Sequence, residues 1–174
     1  MKSIVIYSSL TGNTKQVAEA MTSVLPAGTP CVSMKEVPSD LSSYDLVFAG
    51  FWVDKGTANK EAHDVLGILH NPHIALFATA GVPPQMAHAK ESLINAANCL
   101  PDGIEPVGTF ICQGKVDPKV IEMMYKMFPK GHSHGQSADR DARHKQAAVH
   151  PNEDDFKAAQ DFAQHILAKR SEER

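Results

Sequence analysis

The hydrophobic positions of this chain fall into short continuous runs separated by longer stretches of helical spacing. Ser3–Tyr7 is β-branched and apolar on both faces, as a strand in the middle of a parallel sheet must be. A polar loop from Ser8 to Asn13 follows. Val17, Met21 and Val24 then recur at helical spacing to about Leu25, and Pro26 and Gly28 stop that helix. Cys31–Met34 predicts a second short strand, with loop or short helix around Pro38 and Ser39–Ser43. Asp45–Gly50, Ile74–Thr79 and Val107–Cys112 are three more apolar strands, and Lys60–Leu69 and Gln85–Leu100 are the helices between them. Pro118–Phe128 predicts an extra helix, and the Gly/His/Ser-rich stretch Lys130–Ala138 an exposed loop. Asn152 caps the last predicted helix; Glu153, Asp154 and Asp155 suit its positive end, Phe156, Ala159, Ala163 and Ile166 form its apolar stripe, and Lys169 and Arg170 suit its negative end.

Strand and helix in repeated alternation imply a parallel sheet covered on both faces and joined by right-handed crossovers. Ligands in such sheets bind at the carboxyl ends of the strands, beside the switch point. Three loops leave the predicted strands there: Ser8–Thr14, Phe51–Ala58 and Ala80–Pro84.

Composition narrows the function classes. With 174 residues, 43% hydrophobic and 21% charged, the chain fits one ordinary globular domain with a substantial core. A net charge of -3 and the lack of any basic run exclude a nucleic-acid surface. The apolar run near the N-terminus, Ile4–Tyr7, is too short for a signal peptide or a membrane span, so the cytoplasm is the expected location, without membrane attachment. Cys31, Cys99 and Cys112 form no Cys-x-x-Cys pair and are expected to be free buried thiols.

The first loop carries the chemistry. Ser9-Leu10-Thr11-Gly12-Asn13-Thr14 lies between the first strand and the first helix. A phosphate there meets the unpaired amides and partial positive charge of the helix start. The hydroxyls of Ser9, Thr11 and Thr14 add neutral donors, and Gly12 lets the backbone close around an anion. The nucleotide-hydrolase string Gly-x-x-x-x-Gly-Lys-Ser/Thr and the dinucleotide fingerprint Gly-x-Gly-x-x-Gly are both absent. Helix capping alone accounts for one hydroxyl, not for three plus a glycine.

Val5-Ile6-Tyr7-Ser8-Ser9-Leu10-Thr11-Gly12-Asn13-Thr14, with Ala18 following, resembles the flavodoxin signature, Thr/Ser-x-Thr-Gly-x-Thr after a strand ending in an aromatic. The resemblance implies a single flavodoxin-like α/β domain over 1–174, a three-layer doubly wound sandwich with a five-stranded parallel sheet of order 2-1-3-4-5. It implies bound FMN and electron transfer, with Ser9, Leu10, Thr11, Gly12, Asn13 and Thr14 around the FMN phosphate. It places Phe51, Trp52, Val53, Asp54 and Gly56 of the second loop, and Thr79, Ala80 and Gly81 of the third, at the flavin ring. Trp52, the only tryptophan, is expected to cover the isoalloxazine, where a stacked ring pair adds ~0.5–1.5 kcal/mol beyond burial. Asp54 beside the ring would disfavour an anionic reduced flavin.

Two departures from the family pattern matter. Flavodoxins place glycine after this tryptophan, and its peptide flips to bond the half-reduced ring; here that residue is Val53, and a β-branched side chain resists positive φ. Weaker stabilisation of the half-reduced flavin is therefore expected. The third loop lacks the tyrosine that stacks on the other flavin face, which leaves one face open to a substrate or partner, while Gly81 and nearby amides still meet the pyrimidine edge.

The segment from about 113 to 151 exceeds the needs of a short flavodoxin. Its dense apolar residues Met123, Met124, Tyr125, Met127 and Phe128 fit either core packing or a lid or docking patch over the flavin. The strings Gly50–Thr57 and Ile111–Lys115 resemble a longer, C-terminally extended flavodoxin-like subgroup, in which one member serves as accessory partner to bilirubin reduction. The spacing of His132, His134, His144 and His150 matches no standard metal site, and no Ser-His-Asp set is readable. The leading expectation is an FMN electron carrier working between a reductase and an acceptor, with redox proteins or a small acceptor as partners, as monomer or homodimer. The rivals are an NAD(P)H-dependent FMN oxidoreductase acting on a quinone or similar acceptor, and a flavin-free interaction module of the same fold.

Overall fold

The computed structural model describes residues 1–172. Five parallel strands, β1 (Ser3–Tyr7), β2 (Cys31–Ser33), β3 (Leu46–Asp54), β5 (His73–Ala80) and β6 (Gly108–Gln113), make a sheet of order β2-β1-β3-β5-β6. The two-residue β4 (Thr57–Ala58) lies off this path, antiparallel to the end of β3. Without β4 the order is the 2-1-3-4-5 of the flavodoxin-like sandwich. The chain reverses direction across the sheet between β1 and β3, so their carboxyl ends border a crevice.

Side-chain alternation along the strands explains why they read as unbroken apolar runs. Ile4, Ile6, Val47, Ala49, Phe51 and Leu76 face α2 (Lys60–Leu66) and α3 (Ala87–Ala97). Val5, Leu46, Phe48, Ala75 and Phe77 face α1 (Asn13–Thr22) and α6 (Glu153–Glu172), whose Val17, Met21, Ala159, Ala163 and Ile166 complete that layer. Phe48, Phe51 and Phe77 are fully buried, each contributing ~1.5–3 kcal/mol relative to exposure. Gly50 leaves room for the Phe77 ring: a Cβ there would stand 2.1 Å from Phe77 Cζ.

Element ends differ from expectation for identifiable reasons. α1 stops at Thr22 because Val24 and Leu25 donate to Met21 and Thr22 in tighter turns that lead to Pro26 and to Gly28, at φ 85°. α2 stops at Leu66 in the same way, with Ile68 and Leu69 donating to Val65 and Leu66. Of the two alternatives for 39–43 the loop is the one formed, and a short 3-10 turn forms earlier, at Met34–Glu36. Residues 51–54, expected in a loop, continue β3 through pairing with β5 and the β4 hairpin. α4 (Pro118–Met127) forms as expected, but none of its residues is buried, so its apolar residues are not core. α5 (Ala138–Ala147) is unanticipated. Its sequence has almost no apolar period; it rests on the Ser137 Oγ cap to Arg140 N at 3.2 Å, acids in the first turn and His144 and Lys145 in the last. Of the three cysteines, only Cys112 is buried. No helix among the described residues is long and apolar enough to cross a membrane.

Candidate functional site

A cavity of about 230 Å³ opens where the loops after β1, β5 and β6 meet the end of β3. Its floor is a buried pair of hydroxyls, Thr14 Oγ1 and Thr79 Oγ1, 2.9 Å apart. Whichever donates, one hydroxyl proton of the pair stays free.

The first wall is the Ser9–Thr14 loop. Gly12, at φ 96°, turns the chain into α1 as its N-cap, a conformation that suits glycine. The cap uses no side chain of its own; Ser9 Oγ instead accepts from Gly12 N at 3.1 Å and Lys15 N at 3.3 Å. The first intrahelical bond runs from Gln16 N to Gly12 O. Among the described residues, the backbone N–H groups of Leu10, Thr11, Asn13 and Thr14 are left with no protein acceptor. Those amides, the positive end of α1 and the hydroxyl pair form a donor set with no cation at its centre, suited to an anion such as a phosphate monoester.

The second wall comes from β3, where Trp52, Val53 and Asp54 line the cavity. The Trp52 carbonyl accepts from Asn59 N at 3.2 Å, and Val53 and Asp54 pair with Ala58 and Thr57. Lys55, at φ 50°, and Gly56, at φ 79°, make the two-residue turn of this hairpin. Behind it, Asn59 Nδ2 donates to Ser8 Oγ at 2.8 Å and Ser8 Oγ donates to Glu61 at 2.5 Å, fastening hairpin to first loop. Thr79, Ala80 and Gly81 form the third wall; a Cβ at Gly81 would lie 2.5 Å from Val116 Cγ2.

A fourth wall was not anticipated. Gly114, Lys115, Val116 and Asp117, with Val120 of α4, close the cavity on the β6 side. Asn13 Nδ2 donates to Lys115 O at 2.8 Å, Gly114 N to Ala80 O at 2.8 Å, and Lys115 N to His150 O at 2.8 Å. His150 is held in turn by Asp155, its Nδ1 2.6 Å from Oδ2, at the start of α6. The signal was available: Gly114 and Lys115 immediately follow the last strand, at the same end of the sheet as the other three loops.

Of the expected site residues, Ser9, Leu10, Thr11, Asn13, Thr14, Trp52, Val53, Asp54, Thr79, Ala80 and Gly81 line the cavity. Gly12, Phe51 and Gly56 do not. Gly12 acts through backbone geometry, Phe51 points into the α2/α3 core, and Gly56 sits at the hairpin tip beside His88. Strand alternation accounts for Phe51: it stands two and four residues on from Ala49 and Val47, which face the same α2/α3 layer. Trp52 is the single aromatic of the lining, which is otherwise apolar through Leu10, Val53, Val116 and Val120. Cys112 lies outside the lining; burial, then the nearby Asp155, pushes its thiol up to about 12, which makes it a poor nucleophile. The four histidines lie apart in function: His132 stacks on Phe128, His134 adjoins both, His144 faces Tyr125, and His150 binds Asp155.

The family model described as the flavodoxin domain matches residues 4–164, and the chain belongs to this family. The chain is 34% identical to the flavodoxin-like domain-containing protein BilS of Clostridioides difficile, over 98% of this chain and 99% of that protein. It is also 34% identical to BilS of Clostridium symbiosum, over 93% and 94%. Among solved structures it is similar to oxidised flavodoxin 2 of Bacillus cereus, with TM-score 0.51 and 15% identity over 97% of this chain and 99% of that one, a likeness of fold.

Proposed function

We propose that the protein binds FMN in this cavity and carries electrons between a reductase and an acceptor in the cytoplasm. The observation that carries the reading is the row of unpaired amides at Leu10, Thr11, Asn13 and Thr14, opening onto the same cavity as Trp52. These amides and the Thr14–Thr79 pair would hold the phosphate, Trp52 would cover the ring, and Gly81 would adjoin its pyrimidine edge. When bound, the flavin supplies the redox chemistry; the protein orients it, limits water and sets its potentials. Asp54 adds a negative charge near the ring that opposes an anionic reduced form. The resemblance to the extended subgroup makes a bilirubin-reducing enzyme the specific acceptor of this reading.

An absorption spectrum of purified protein, followed by titration with FMN and with riboflavin, tests it. A yellow protein, or a colourless one that FMN reconstitutes more tightly than riboflavin, supports the reading. A protein that takes up neither is the flavin-free module instead.

One observation favours a second reading, an NAD(P)H-dependent FMN oxidoreductase. The Trp52 carbonyl is tied to Asn59, and Trp52 is the one aromatic of the lining, so a ring face is left for a small reactant. Steady-state NAD(P)H oxidation with a quinone separates the two: turnover supports the oxidoreductase, and its absence supports the carrier.

A further inference from the structure

Among the largest fully buried side chains of the described residues, one is polar. Gln113, the last residue of β6, is 2% exposed and stands opposite Ala80 of β5. An amide buried there without a partner costs free energy that an aliphatic side chain would not. Its partner is the carbonyl of Gly81, to which Nε2 donates at 3.3 Å. Because a carbonyl oxygen only accepts, the NH2 end of the amide must be the one that faces it. Gln113 itself is outside the cavity lining, whereas Gly81 is part of it.

The contact decides what the third wall can offer a ligand. Ala80 O accepts from Gly114 N at 2.8 Å and Gly81 O from Gln113, so both carbonyls are engaged on the β6 side. A trans peptide sets its N–H opposite its carbonyl, so the N–H groups of Gly81 and Val82 point away from β6. Among the described residues neither has a protein acceptor. Pro83 and Pro84, which follow, have no N–H to add. Val116 packs against the same residue, since a Cβ on Gly81 would lie 2.5 Å from its Cγ2.

We propose that Gln113 is a positioning residue: acting through Gly81, it makes the third wall a donor edge for the pyrimidine end of a flavin and raises that flavin's reduction potential. This deepens the flavin reading and rests on it. N1 and the C2 carbonyl of a flavin are acceptors, and negative charge collects there on reduction. Free amides at that edge stabilise the reduced ring more than the oxidised one, and a carbonyl turned toward it would do the reverse. Without the Gln113 bond the Gly81 carbonyl is free to make that turn, because glycine tolerates the backbone change. Asp54 on the second wall opposes the same charge, and the third-wall amides offset it.

The test loads purified protein with FMN, confirmed by absorption, and measures the two-electron potential of the bound flavin. The same is done for Gln113→Met, which keeps the length of the side chain and removes its donor. The variant is expected to bind oxidised FMN nearly as well and reduced FMN ~10-fold more weakly, a potential ~30 mV lower. The ratio of FMN to riboflavin affinity is expected to stay unchanged, since the phosphate loop is untouched. Gly81→Ala, which pushes the same residue off Val116 and leaves Gln113 in place, is expected to lower the potential likewise. In 15N spectra of the unaltered protein, the Gly81 and Val82 amides are expected to shift further on reduction than those of Leu10 and Thr11. Equal weakening of oxidised and reduced FMN by Gln113→Met makes Gln113 a packing residue and overturns the proposal. Should that variant not fold, an unmoved potential in Gly81→Ala, or Gly81 and Val82 shifts no larger than those of Leu10, overturns it instead. A yellow protein with an unmoved potential sinks the role of Gln113 alone; a protein that FMN cannot colour sinks the flavin reading and the proposal with it.

Discussion

Thr14 Oγ1 and Thr79 Oγ1, from the first turn of α1 and the end of β5, share a hydrogen bond of 2.9 Å on the cavity floor. The bond fastens the anion loop to the sheet, and both residues line the cavity, within which the hydroxyl proton not used in the bond is available to an anion. Thr14→Val removes one of the two hydroxyls and leaves Thr79 without the buried partner that fixes its orientation. A charge-assisted hydrogen bond contributes ~1.5–3 kcal/mol, so FMN affinity is expected to fall ~10- to 100-fold. Riboflavin, which has no phosphate, is expected to lose less. Fluorescence titration with both ligands checks this; equal losses place the phosphate elsewhere.

The second prediction concerns the Trp52–Val53 peptide. Turning it over would break the 3.2 Å bond from Asn59 N to Trp52 O at the base of a hairpin that also pairs Val53 with Ala58. Such a bond contributes ~0.5–1.5 kcal/mol, and Val53 adds its resistance to positive φ. Anaerobic reductive titration is expected to give little one-electron-reduced flavin. Val53→Gly is expected to raise the yield only in part, since the Asn59 bond survives it. A large yield of the blue form in the unaltered protein overturns the argument.

How much of this was legible in the sequence depends on what kind of signal each part leaves. The core strands announce themselves because both faces of the sheet are covered, as Ile4, Val5 and Ile6 show. The Ser9–Thr14 loop is legible because its chemistry and its folding use the same local residues. Trp52 is legible by type, but Phe51 beside it was misplaced because the end of β3 becomes strand only through long-range pairing with β4 and β5. α5 is held by a cap and charges rather than by an apolar stripe, so periodicity does not see it. The wall at Lys115–Asp117 depends on contacts with Asn13 and His150, distant in sequence.

The third prediction is a pH dependence at α4 and α5. Both ring nitrogens of His144 are buried without a partner, beneath Tyr125, whose hydroxyl donates to Asp141 at 2.9 Å. Burial holds the His144 pKa below its ordinary 6.5; Asp141 opposes that shift, and Arg140 and Arg143 add to it. The opened state therefore binds the proton more readily than the folded one. Stability rises with pH through the ordinary histidine range and falls as pH drops below it. Hydrogen exchange at α4 and α5 is expected to speed up between about pH 7.5 and about pH 5 relative to the sheet, and His144→Phe is expected to flatten the difference. An unchanged profile in His144→Phe assigns the effect to another group.

The last prediction tests the clasp that closes the cavity. Asn13 Nδ2 donates to Lys115 O at 2.8 Å, joining the anion loop to the wall after β6. Gly114 permits this contact, since a Cβ there would stand 2.8 Å from Asn13 Nδ2. Asn13→Ala removes the bond without a clash and leaves the Asn13 amide in place, so the phosphate donors survive while the wall is freed. The loss is about that of one neutral hydrogen bond, ~0.5–1.5 kcal/mol, or ~2- to 12-fold in FMN affinity. Gly114→Ala forces Asn13 aside, breaking the same bond and displacing the backbone beside the anion, and is expected to cost more. Because the clasp shapes the whole cavity, Asn13→Ala is expected to weaken riboflavin as much as FMN, the opposite of the Thr14→Val pattern. Full affinity in Asn13→Ala with fast exchange at Lys115 would show that the fourth wall borders the cofactor without holding it.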